Sequence, residues 1–246
     1  MVGNLLIRGM LVGILAGLLA FGVAKIFGEP QVDSAIAFED HQHQMSGEAP
    51  EPELVSRAVQ SGSGLLIGVV TTGVALGGIF SLVFAFAYGR IGRFGARATA
   101  ALIAAASFFA VALVPQLKYP ANPPSVGNPE TIGSRTALYF TMIALSILIL
   151  TAAIGTGRRL VDRHGGWNAA LIAGAAYLVA MAVAMLVLPT VNEVPAEFSA
   201  VVLWNFRLAA LAIQATLWAT LGLVFGAVAE RYLNNAAGHG IAARHA

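Results

Sequence analysis

The 246-residue chain has no cysteine. Disulfides, thiolate metal sites and iron–sulfur clusters are therefore excluded. Charge is scarce: 11% of residues are Asp, Glu, Lys or Arg, against roughly a quarter in a soluble domain. Catalytic signatures are missing too. No Walker A pattern is present, so nucleotide hydrolysis by that route is not expected. There is no HExxH, no GxSxG, and no pair of intramembrane aspartates such as an intramembrane protease needs. No long apolar run contains a histidine, which removes the usual haem pattern. No stretch is long enough for a separate soluble domain. An enzyme is not expected, and a net charge of +2 gives no sign of a nucleic-acid partner.

What is present is apolar: 58% of the residues are hydrophobic. They fall in runs of about 20, the length that crosses a hydrocarbon core as a helix. This predicts an all-α integral membrane protein in contact with lipid, one polytopic domain of about six spans. The spans are expected near residues 5–27, 64–88, 97–114, 135–156, 167–188 and 201–229. Gly9, Gly13 and Gly17 recur every four residues, and Gly64/Gly68 and Gly73/Gly77 are small-xxx-small pairs. Such spacing lets helices approach closely. A cleavable signal peptide competes for the first run, with Arg8 before it and Gly22-Val23-Ala24 as a small-x-small site.

Three polar stretches interrupt the apolar runs. Residues 29–62 hold seven of the twelve acidic residues. We expect this segment to be a polar outer loop, loosely ordered or partly helical near 52–60. The stretch LPTVNEVPAEFSAVVLWNFR, from Leu188 to Arg207, carries Pro189 and Pro195, which a regular helix cannot pass. VPQLKYPANPP, from Val114 to Pro124, has the same build. Both read as polar reversals between spans. Basic turns, residues 89–96 and 157–167, alternate with them. The basic side also holds Arg8, Arg231 and Arg244, while the other side holds ten of the twelve acids. The positive-inside rule then places both termini and the basic turns in the cytoplasm. A basic turn, Ala-Leu-Ile-Ala and a proline reversal occur twice, at 101–104 and 170–173, which suggests a parallel repeat.

Two groups of residues could carry chemistry. Glu39, Asp40, His41 and His43 lie together in the outer segment. In an extended strand His41 and His43 point the same way. Imidazole with carboxylate suits Zn, Ni, Co, Mn or Fe(II) without selecting among them. The plain alternative is a solvated acidic loop. The second group sits in the reversals. Asn192, Glu193 and Asn205, with Gln116, Lys118 and Tyr119 from the other reversal and Arg207 from the last span, could line a solute pathway. Polar groups near membrane depth usually face a cavity or a partner. A Glu193–Arg207 ion pair is the bland reading. Lys118 could simply snorkel, and Tyr119, Tyr139, Trp167 and Trp204 fit an aromatic belt. Gln214 suits a helix–helix hydrogen bond, and His239 and His245 a disordered tail.

The chain resembles the CbtA-type cobalt transporter subunits of bacteria over nearly its whole length. The resemblance rests on Glu29-Pro30-Gln31-Val32-Asp33, on Glu53-Leu54-Val55-Ser56-Arg57, and on Val114 to Pro124. It rests further on Pro129-Glu130-Thr131-Ile132-Gly133 through Arg135, on Val191-Asn192-Glu193-Val194-Pro195, and on Leu203-Trp204 with Phe206-Arg207. It implies uptake of Co2+ across the cytoplasmic (inner) membrane, with no permanently bound cofactor. It also implies a small one-span CbtB-type partner subunit with a histidine-rich end. Members tend to carry more histidine in the first loop than the His41/His43 pair, and the family is often described with five spans. The competing function is a non-transporting membrane scaffold or assembly partner.

Overall fold

The structure, a computed structural model, describes residues 1–47 and 55–242, with backbone alone for 237–242. Among the described residues there is no strand. Five helices among these residues are long and apolar enough to cross a membrane. They are α1 (Val2–Ser46), α2 (Arg57–Ala87), α3 (Ala96–Lys118), α4 (Pro129–Val187) and α5 (Ala200–Ala236).

α4 has 59 residues, which as one rod would be about 88 Å long at 1.5 Å per residue. It folds back instead. Gly165 adopts φ 73° and ψ 161°, a conformation that glycine tolerates and a side chain resists. The Ser146 and Tyr177 hydroxyls then meet at 2.8 Å across the two limbs. Gly157 faces the second limb so closely that a Cβ there would lie 2.9 Å from that of Ala173. Five helices thus make six apolar limbs, in keeping with about six spans.

α1 corrects the expectation of a loose outer loop. It continues without a break through the polar residues Glu29–Ser46 and stops at Gly47, which is left-handed at φ 73°. Pro30 does not end it, because the turn before it, Ala24–Gly28, is a π-turn. A proline ring collides with the carbonyl four residues back, and widening the turn relieves that clash. α3 uses the same device. Its Phe108–Leu113 segment is a π-turn, and the helix passes Pro115 to reach Lys118 rather than ending at Val114.

The glycines seat α1 on α2. Gly9 lies against Gly77 and Gly13 against Gly73, backbone to backbone, while a Cβ on Gly17 would lie 2.7 Å from Val70 Cα. The Gly64/Gly68 pair has no such role: Gly68 has nothing within 4 Å. Around this seam Leu5, Ala16, Phe80, Phe84, Leu221 and Phe225 form the main core. Phe225 meets Phe80 and Phe84 edge-on, at 5.4 and 5.2 Å between ring centroids. A second cluster, with Met142, Tyr177 and Met181, joins the α4 hairpin to the end of α3. A third, Ala35, Val126 and Phe198, lies where the polar extension of α1 leans over both reversals. Phe38 packs edge-on against Phe198 at 5.0 Å.

Candidate functional site

The two proline reversals, far apart in sequence, meet. Tyr119, buried at the end of α3, donates its hydroxyl to the Pro189 carbonyl at 2.8 Å. Between the reversals lies a cavity of about 430 Å³. Gln116 and Tyr119 line it from one reversal, Asn192 and Glu193 from the other, and Arg207 from α5. Five of the seven pathway residues named from sequence are therefore together. Lys118 and Asn205 are not in the wall. Lys118 Nζ sits 5.8 Å from the centre of the Tyr119 ring, and Asn205 is exposed on α5.

Glu193 pairs with Arg135, not with Arg207. Its Oε2 accepts the Asn128 N–H at 2.7 Å and the Thr131 hydroxyl at 2.9 Å. Arg135 Nε lies 3.4 Å away, within ion-pair reach but without hydrogen-bond alignment. These three groups, led by the Asn128 N–H, hold the carboxyl below the ordinary glutamate value of 4.5, although desolvation opposes them. Arg135 itself is fixed by donating to the Asn128 carbonyl at 3.0 Å. Its guanidinium packs closely on Gly127, where φ is +121° and a Cβ would come within 2.7 Å of Arg135 Cζ. Asn128 also caps the Pro129–Thr131 turn by accepting from the Glu130 N–H at 2.9 Å. The short segment 127–135 is thus a cradle for one carboxylate.

Among the described residues Arg207 has neutral partners only. Its Nη2 donates to Asn122 Oδ1 at 2.9 Å and its Nε to the Ala121 carbonyl at 3.3 Å. Gln116 donates to the Arg207 carbonyl at 3.1 Å. No carboxylate among the described residues pairs with this half-buried guanidinium. The wall also contains Asn122, Arg135, Thr136 and Tyr139, which sequence reasoning did not assign to the pathway. The one signal for Arg135 was its place beside the Pro129–Gly133 string, on the side where cations are few.

The acidic-histidine group lies on the overhang of α1. There the backbone is helical, so successive residues turn by about 100°. His41 and His43 then sit about 200° apart, which removes the reason for expecting both imidazoles on one side. Glu39 and His43, four apart, share a face. Glu39 accepts the Ser125 hydroxyl at 2.9 Å, and that hydroxyl also lies 3.0 Å from the Ala35 carbonyl. Among the described residues no three His, Cys, Asp or Glu side chains gather to hold a metal. Asp40 and His41 are exposed. The side chain of His239 and all of His245 fall outside what the structure describes.

A further cluster ties the overhang down. Arg57 donates to both Glu29 and Asp33, the latter at 2.9 Å. This clamp ties the start of α2 to the polar extension of α1 and joins two of the sequence strings that carried the family resemblance.

These features define a polytopic helical membrane protein with a one-sided polar cavity beneath a helical overhang. A family model described as probable cobalt transporter subunit (CbtA) matches residues 2–230. The chain belongs to that family. No curated protein and no solved structure matches it.

Proposed function

We propose that the chain is the multi-pass subunit through which a divalent transition metal, cobalt by its family, enters the cell. In this reading it lies in the bacterial cytoplasmic membrane, with the basic turns and both termini inside. The cavity between the reversals is the outward vestibule. The observation that carries this is convergence: two separate proline reversals bring Gln116, Tyr119, Asn192, Glu193 and Arg207 to one cavity. Glu193 is the carboxylate offered to the cargo, since all three of its contacts are to Oε2 and Oε1 has no partner among the described residues. Glu39 and His43, with Asp40 and His41 alongside, would give weak capture above the vestibule.

The membrane potential can drive such uptake. A divalent cation gains about 4.6 kcal/mol on entering at about −100 mV, enough for roughly a 10³-fold gradient. A small one-span partner would complete the transporter. One observation favours the scaffold alternative as well as a partner. Only 11% of the most apolar window of α4 is buried, against 28–39% in the other helices. That hairpin offers a bare flank to lipid or to another subunit.

The test is elemental mass spectrometry of metal-depleted cells. They would express this chain alone, with its one-span partner, or as Glu193→Gln with the partner. Selective cobalt accumulation, lost in the variant at equal membrane abundance, is the expected result. No rise of any metal despite correct insertion would overturn uptake and favour the scaffold.

A further inference from the structure

The charge in the cavity wall is the wrong sign for a bare divalent cation. Two guanidiniums, Arg135 and Arg207, face one carboxylate, Glu193. Glu193 is already engaged by Arg135, so the uncompensated charge is that of Arg207. Guanidinium carries five N–H donors in a planar fork that matches carboxylate oxygens. Arg207 spends one on Ala121 and one on Asn122, which leaves Nη1 without an acceptor among the described residues. A half-buried cation in a polar cavity attracts an anion.

From this we infer that the cavity binds a small polycarboxylate, and that the metal arrives there as its polycarboxylate chelate rather than as the hydrated ion. Both charges of a chelate then have a partner: Arg207 for the free carboxylates, Glu193 for the metal. A cavity of about 430 Å³ has room for a molecule of that kind. The inference rests on the vestibule reading for the cargo, while the carboxylate site stands on the wall residues alone.

The experiment is titration calorimetry on the purified full chain in detergent, with citrate, cobalt citrate and cobalt chloride as separate probes. We expect citrate and cobalt citrate to bind to the native chain. Arg207→Gln should weaken citrate about tenfold or more, the scale of losing a charged hydrogen bond. Glu193→Gln should hold citrate as tightly or more tightly, because it removes the one negative charge. Should Arg207→Gln fail to fold, Asn122→Asp replaces it: a carboxylate placed on Arg207 should abolish citrate binding. The inference is overturned if folded native chain does not bind citrate, or if citrate binds unchanged in the Arg207 and Asn122 variants. Cobalt chloride that binds on its own, is lost in Glu193→Gln and is not displaced by citrate would also overturn it. Uptake in cells is measured separately, so a native chain that binds citrate but, with its partner, accumulates no metal would fault the transport reading alone.

Discussion

At the scale of single residues, Glu193 organises the site. It ties the second reversal to the 127–135 cradle through the Asn128 N–H, the Thr131 hydroxyl and Arg135. Its folded pKa is depressed. A depressed carboxylate contributes stability that is present above its unfolded value and is lost as pH falls through the lower folded value. Thermal unfolding of native chain and Glu193→Gln in detergent should therefore differ by a constant amount from neutral pH down to about 4.5. The gap should narrow below that. A gap that persists unchanged in strong acid would show that the carboxylate is not what the cradle holds. Sequence adjacency suggested Arg207 as its partner, fourteen positions away. The actual partner lies in another limb, and hydropathy does not encode which limb faces which reversal.

At the scale of elements, close helix contact decides the architecture. A Cβ on Gly13 would lie 2.8 Å from the Gly73 carbonyl carbon, and neither backbone can retreat without parting α1 from α2. Gly13→Val should cost about 1–3 kcal/mol, as overpacking typically does, and lower the unfolding temperature in detergent. Gly68→Ala, with open space around it, should leave that temperature unchanged or slightly higher. Equal losses in both variants would contradict the seam. The four-residue glycine spacing was legible in the sequence for α1 and for Gly73/Gly77. It could not separate these from Gly64/Gly68, because spacing marks a face and not the neighbour that occupies it. The helical overhang was hidden for a related reason. Proline and acidic residues argued for a loop, and what holds the helix is long-range: Phe38 on Phe198, Ser125 on Glu39, and Arg57 on Glu29 and Asp33.

At the scale of the whole molecule, the two ends differ in chemistry. One end carries the reversals, the overhang and the cavity. The other carries Arg8 stacked on Tyr232 at 4.3 Å and Arg97 paired with Glu230 at 2.6 Å, together with the basic turns. The long apolar runs made six limbs readable from sequence, and the alternation of basic turns with proline reversals assigned each connection to an end. The proposed direction of transport depends on which end faces outward. Because the natural chain has no cysteine, single cysteines report orientation without background. The most direct measurement is labelling of intact cells with a membrane-impermeant maleimide, comparing Asn192→Cys on the cavity wall with Arg159→Cys in a basic turn. With the cavity facing outward, Asn192→Cys should label from outside, while Arg159→Cys should label only after the membrane is permeabilised. The reverse pattern would place the cavity on the cytoplasmic side and contradict an outward vestibule for uptake.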